Sequence, residues 1–385
     1  MNPEYDFGSG CTNPDTFPVE KLAAAAAAGI REVGVDFTRY PGDLGHLGMR
    51  EMLARRESER EGVQVDPDHM VLTNGSMQGV TLTAEAFLVD GEENVIITEE
   101  LTYSGTIGAY RRLGVRMAGV HVDEQGMCID HLEETLKDLQ RAGTTPRFIY
   151  TLPTYQNPTG SVMPRSRRLQ LLDVAHRFGV PIVEDNCYAD VHFEGAKEPA
   201  LYALDDTDHP HIYLCSLSKI LGPGVRLGYV YARQPMLQKV LDRRYDGGNS
   251  LLTASVLASF FGDGLWDHVE QMNGPLKQKR DAVFAGLEQN VKDICTWSHP
   301  VGGLFIWVHL PHDIDHSRLR QLADAARVRY AAGSAFHIDG LALPNLRLAF
   351  GYPPLEAIHE GVPILADCIR QACGASDRGE RTAAG

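Results

Sequence analysis

Lys219 follows the apolar run Ile212-Tyr213-Leu214, lies beside Ser216 and Ser218, and is followed seven residues later by Arg226. An amine held at the end of a strand is placed to condense with an aldehyde as a Schiff base. Two hydroxyls and a guanidinium beside it are placed to hold a phosphate. A cofactor that carries both an aldehyde and a phosphate is pyridoxal 5'-phosphate (PLP).

Other stretches offer complementary chemistry, each with a plainer reading beside it. Asn74-Gly75-Ser76-Met77-Gln78 follows Met70-Val71-Leu72-Thr73 and opens a helix through Ala86. Free N–H groups at such a helix start suit a phosphate, although Ser76 as a simple N-cap would explain the same pattern. Asp185 follows Pro181-Ile182-Val183-Glu184, and a carboxylate at the base of a cleft can pair with a protonated ring nitrogen. Tyr103, after Val95-Ile96-Ile97-Thr98, could stack on a ring or merely form a rim. Asn157-Pro158-Thr159-Gly160 is also a good turn, and Arg347 could be a strand arginine facing water. Glu184 and Asp190 read as surface charges, and Cys11 and Cys187 as packing residues rather than nucleophiles.

Taken together, these segments resemble the class I/II aminotransferases, the fold-type I PLP enzymes. Ser216 to Gly228 fits S-x-S-K-x-x-x-P-G-x-R-x-G, and Asn157 to Gly160 fits N-P-T-G. The resemblance runs from about residue 7 to 372 and looks nearest the branch holding 2-aminoadipate and kynurenine aminotransferases and MocR-type regulators. It implies that Lys219 carries PLP and, once freed, acts as general base on the substrate's α-proton. Gly75, Ser76, Met77, Ser216, Ser218 and Arg226 would then surround the phosphate. Tyr103 would stack on the ring, Asn157 and Tyr188 would bond its phenolic oxygen, and Asp185 would hold its nitrogen protonated. Arg347 would clamp the substrate α-carboxylate, Gly10 would lie against the substrate, and Tyr40 would reach the phosphate of a neighbouring subunit. That last role implies a homodimer with shared sites. Leu101 and Cys187 stand where the family commonly has proline, and Gly10-Cys11-Thr12 departs from its usual G-x-P.

The activity implied is transfer of an amino group between an L-amino acid and a 2-oxo acid. The same PLP-binding residues serve elimination, replacement, decarboxylation and oxidation, so another PLP reaction is an alternative. A non-catalytic effector-binding module of the regulator type is a second, against which the intact Lys219, Asp185, Asn157 and Arg347 argue.

The elements that must position these residues alternate short β-branched runs with amphipathic stretches between about residues 66 and 235. Strands are expected at 95–98, 148–151, 181–184, 212–214 and 228–231, with helices between them such as 165–178, whose apolar residues include Leu169, Leu171 and Leu172. The pattern predicts an α/β fold with a mostly parallel sheet flanked by helices, seven-stranded by the resemblance, binding ligand at its carboxyl edge. A polar helix from Gly274 to Asn290 and strands at 303–308, 328–330 and 345–350 predict a smaller α+β domain. The expected division is an N-terminal arm and part of the small domain over 1–46, a large PLP-binding domain over 47–275, a small C-terminal domain over 276–373, and a disordered tail over 374–385.

The 385 residues suffice for two domains, and the net charge of −15 argues against nucleic acid or an anionic membrane as partner. Ala23–Ala28 reads as the body of an Ala-rich helix rather than a membrane span. Seven scattered cysteines without metal-ligand spacing point to no metal and a cytoplasmic location.

Overall fold

The computed structural model describes residues 4–373; the tail expected at 374–385 lies outside the described residues. Seven strands form the central sheet: β1 (Met70–Thr73), β2 (Val95–Glu99), β3 (Arg116–Val120), β4 (Ile149–Thr151), β5 (Ile182–Asp185), β6 (His211–Ser216) and β7 (Gly228–Tyr231). Their order is β1-β7-β6-β5-β4-β2-β3. Only β7 runs against its neighbours, pairing antiparallel with β1 and β6, while the remaining pairs are parallel. Strands β1, β2, β4 and β5 are buried along their whole length, which explains why they read as continuous apolar runs rather than alternating ones.

Helices cover both faces. The helix Ile129–Arg141 buries Ile129, Leu132, Leu136 and Leu139, a stripe at helical spacing. The helix Arg165–Phe178 stops at Gly179 in the left-handed conformation and buries Leu171, Leu172 and Val174, but Leu169 points to solvent. Strand β3 was not anticipated: its residues Arg116 to Gly119 are only partly covered, as befits an edge strand.

A second sheet has strands β8 (Thr296–Trp297), β9 (Phe305–His309), β10 (Ala331–Ala332) and β11 (Asn345–Ala349), in the antiparallel order β8-β9-β11-β10. The helix expected from Gly274 begins at Leu265 and runs through Pro275 to Asn290. Proline removes one backbone donor there, yet Leu265, Val269, Met272, Leu276, Val283 and Leu287 are all buried, and that packing carries the helix past it. Val328–Arg329, within the strand expected at 328–330, pairs in parallel with Tyr5–Asp6.

Backbone bonds tie β11 to the N-terminal segment and the residues after β10 to those that follow β2. Ala349 N donates to Phe7 O at 2.8 Å, Thr102 N to Phe336 O at 2.9 Å, and Ile338 N to Glu100 O at 3.0 Å. They bring β11 against the carboxyl ends of β2, β4, β5 and β6, where the sequence motifs lie.

Candidate active site

The phosphate-type corner is built by glycines. Gly75, at φ 83°, caps the helix Ser76–Phe87, so Ser76 is its first helical residue and not the cap. A Cβ at Gly75 would stand 2.5 Å from Arg226 Nη2, and one at Gly228 the same 2.5 Å from Ser76 N. These two bare positions let the helix start, strand β7 and Arg226 converge. Arg226 donates to Asn74 O at 3.1 Å, and Ser216 Oγ donates to Ser218 Oγ at 2.9 Å. One cavity is lined by Ser76, Met77, Tyr103, Ser216, Ser218 and Arg226 on this side, and by Asp185, Cys187, Tyr188 and Lys219 on the other.

Lys219 Nζ donates to Gly10 O at 2.9 Å and lies 5.4 Å from the centre of the Tyr188 ring. Burial holds its amine below the ordinary lysine range, and the charge of Arg347 acts in the same direction. Burial thus outweighs the cationic neighbour.

Asp185, at the end of β5, is buried, and loss of hydration pushes its carboxyl up. Three hydrogen bonds and the Lys219 charge oppose that shift: Cys187 Sγ reaches Oδ1 and Tyr150 Oη reaches Oδ2, both at 2.8 Å, and the Cys187 backbone N–H adds a third donor. Across the cleft Asn157 Nδ2 lies 3.4 Å from Tyr188 Oη, close enough for one ligand oxygen to face both.

Arg347 is 5% exposed, so it is no strand arginine facing water. Its guanidinium carbon lies 4.2 Å from the centre of the Phe305 ring and 4.7 Å from that of Phe336. Nη1 donates to Asn157 Oδ1 at 3.0 Å and Nη2 to Gly8 O at 2.7 Å, while the buried Nε has no partner. Desolvation lowers its pKa to about 10, which still leaves it charged at neutral pH. A buried cation with an unmet donor and no carboxylate is prepared for an anion. Gly10 lies at the same spot, its Cβ direction 3.3 Å from Phe305 and 4.0 Å from Arg347 Nη2.

Gly10, Asn157 and Arg347 adjoin this cavity through the Lys219–Gly10, Asn157–Tyr188 and Arg347–Asn157 bonds, whereas Tyr40 is 87% exposed and does not line this cavity of its own chain. Glu184 and Asp190 are not surface charges. Glu184 accepts from Leu201 N and Tyr202 N, and Asp190 pairs with Arg56 and Arg60, all buried in a network under the sheet. The sequence reading also missed Glu99 and Gln156. Glu99 accepts from Thr151 Oγ1 at 2.7 Å and Leu152 N at 3.0 Å, and Gln156 donates to Leu101 O at 2.6 Å while accepting from Thr159 N. They fasten the loop that carries Asn157 to the segment that leads to Tyr103. A polar residue directly after an apolar strand was the available signal at Glu99. Among the described residues no group of three or more His, Cys, Asp or Glu converges as a metal site.

This architecture is shared by known proteins. The chain matches aminotransferase class I and II over residues 5–359. It is 31% identical over 365 residues to aromatic-amino-acid aminotransferase 1 of Thermococcus litoralis, covering 94% of this chain and 87% of that one. It is also 31% identical to the 2-aminoadipate transaminase of Thermus thermophilus, covering 94% and 89%. The crystal structure of an α-aminoadipate aminotransferase from Thermus thermophilus, complexed with N-(5'-phosphopyridoxyl)-L-leucine, superposes with a TM-score of 0.88 at 30% identity, covering 96% of this chain and 93% of that one. The chain therefore belongs to the class I and II aminotransferases, and the fold is that of fold-type I enzymes.

Proposed function

We propose that this aminotransferase binds PLP at Lys219 and moves an amino group between an L-amino acid and a 2-oxo acid in the cleft between its two sheets. One observation carries the reading: an amine, a carboxylate and a glycine-built anion corner line a single cleft, and a buried guanidinium with an unmet Nε–H adjoins it through Asn157. The residues fit the cofactor in size and chemistry. The corner of Gly75, Ser76, Met77, Ser216, Ser218 and Arg226 offers N–H, hydroxyl and guanidinium donors to a phosphate. Tyr103 offers a ring face, Asn157 and Tyr188 face a phenolic oxygen, and Asp185 offers a carboxylate to a ring nitrogen. When bound, PLP supplies an aldehyde that joins amines and a ring that accepts the electron pair left at the α-carbon.

The chain's own contribution is positioning and proton transfer. Arg347 holds the α-carboxylate with its free Nε–H, and Phe305 and Phe336 keep water from that contact. Gly10 leaves room for the substrate beside it. Lys219, whose amine burial keeps easier to deprotonate than a surface lysine, takes the α-proton and returns it. Asp185 stabilises positive charge on the ring nitrogen side of the cleft.

A homodimer is supported by large apolar side chains left exposed: Val35 is 83%, Tyr40 87% and Tyr245 90% exposed. A second copy covering them would bring Tyr40 toward a neighbouring phosphate corner. The sheet arrangement supports an N-terminal arm to residue 46, a large domain over 47–275 and a small one over 276–373. Seven cysteines scattered without metal-ligand spacing fit a cytoplasmic setting, and among the described residues no helix is long and apolar enough to cross a membrane.

The test is the visible spectrum of the PLP-loaded protein during addition of amino acids one at a time. Bleaching by an amino donor and recovery with a 2-oxo acid is the expected result and names the donor. Ammonia release without bleaching would mean a different PLP reaction, and a protein that stays colourless with PLP would refute the site.

A further inference from the structure

We infer that Cys187 is a positioning residue that, with Tyr150, clamps the carboxylate of Asp185 and so sets how strongly Asp185 holds a proton on a bound PLP ring. The inference rests on the PLP reading above and concerns a position where the sequence replaces the proline common in similar proteins.

The geometry makes the clamp two-sided. Cys187 Sγ donates to Asp185 Oδ1 and Tyr150 Oη to Oδ2, so each oxygen has its own donor and the carboxylate plane is fixed. Tyr150 is itself fixed by Thr106 Oγ1, 3.1 Å from its hydroxyl, and by edge-on packing of the Tyr110 ring. Cys187 is part of the cavity wall, with the Ser76 hydroxyl on its other side. A proline side chain carries no polar hydrogen, so only with cysteine, serine or a similar donor here can a side chain at this position bond Oδ1.

The thiol is well suited to donate. Burial and the neighbouring Asp185 charge push its pKa well above the ordinary cysteine value, so it stays protonated at neutral pH and is a poor nucleophile. The titratable groups acting on the pair are Glu99, Tyr103, Tyr110, Tyr150, Tyr188, Cys215 and Lys219; burial holds the tyrosines and Cys215 protonated, and Glu99, raised to about 7, is the one other acid among them.

A donor on a carboxylate stabilises its ionised form. With both donors in place Asp185 is a weaker base, and a proton shared with the ring nitrogen rests on the ring. Removing the thiol donor makes Asp185 the stronger base and draws that proton toward it. The ring then withdraws fewer electrons, the nitrogen linking Lys219 to the cofactor becomes more basic, and α-proton removal slows.

The experiment is a pH titration of the visible band of the PLP-loaded protein, in wild type, Cys187→Ala, Cys187→Ser and Tyr150→Phe. In Cys187→Ala the midpoint should rise by at least about half a unit, and kcat should fall about three- to tenfold with KM little changed. Tyr150→Phe should move the midpoint the same way, and Cys187→Ser, which keeps a donor, should return it to the wild-type value. An unchanged midpoint in Cys187→Ala, or a serine variant indistinguishable from alanine, would overturn the clamp while leaving the PLP site intact. Absence of any visible band in the wild type would overturn the PLP reading itself, and the clamp with it.

Discussion

Two of the regions that bury arginine in this molecule treat it in opposite ways. Beneath the central sheet Arg56 and Arg60 are saturated with partners. Arg56 pairs with Glu57 and Asp190, and Arg60 pairs with Glu57 at 3.0 Å, Glu61 at 2.6 Å and Asp190 at 3.3 Å, with Tyr213 closing the set. In the cleft Arg347 has a carbonyl and an amide oxygen but no carboxylate, and its Nε is unmet. Burying a charge is costly, and a partner on the same chain recovers much of the cost at once. Arg168, equally buried without a carboxylate, has four acceptors from the chain, whereas Arg347 keeps an Nε–H with none. The fully paired region is therefore scaffold, and the one with the unmet donor is the place proposed for an anion.

This contrast can be broken from either side. The largest expected effect on folding is in the paired region. Asp190→Ala leaves two buried guanidinium groups short of a partner and should cost about 3–5 kcal/mol in denaturant unfolding. Its carboxyl is held low in the native state by Arg56 and Arg60, against the opposing effect of burial. The stabilisation from that pair is thus present above the ordinary aspartate pKa of about 3.9 and is lost as pH falls through the lower native value. In the cleft the effect should fall on activity instead. Arg347→Met should lower kcat/KM by about 10²- to 10³-fold, yet change unfolding free energy by no more than about 1 kcal/mol, since no ion pair within the chain is lost. Equal losses of stability in the two variants would erase the distinction.

A smaller effect sharpens it. Glu99 is a buried acid with hydrogen bonds but no cation, and desolvation raises its pKa to about 7. Its native state holds the proton more tightly than the unfolded chain, so its contribution to stability is fully present below about pH 4.5 and is lost as pH rises through about 7. Thermal unfolding followed across that window should show this decline in wild type and a flatter profile in Glu99→Gln. A wild-type profile as flat as that of the variant would contradict the assignment.

How far the sequence spoke depended on the range over which each feature is encoded. Strand ends and the turns that follow them are local, and Lys219, Asn157, Asp185 and the Asn74–Gln78 turn could be read from a few neighbouring residues. The burial of Arg347 was legible only through family resemblance, because its aromatic walls, Phe305 and Phe336, lie 42 and 11 residues away in the numbering. The network under the sheet was illegible: Arg56 meets Asp190 across 134 residues, and a lone Asp after a strand looks like any solvated charge. The helix that starts at Leu265 was cut short in the reading because Gly274-Pro275 is a local stop signal, which tertiary packing overrides. Tyr150 was seen as a strand residue, and nothing local reveals that its hydroxyl meets Asp185 on the next strand.

The central claim, that Lys219 is the residue joined to PLP in this cleft, is tested most directly by borohydride reduction of the PLP-loaded protein followed by peptide mass mapping. The account predicts a single phosphopyridoxyl group, on the peptide containing Lys219, and its loss in Lys219→Ala. A group fixed to another lysine, or none on a protein that folds and has been exposed to PLP, would contradict it.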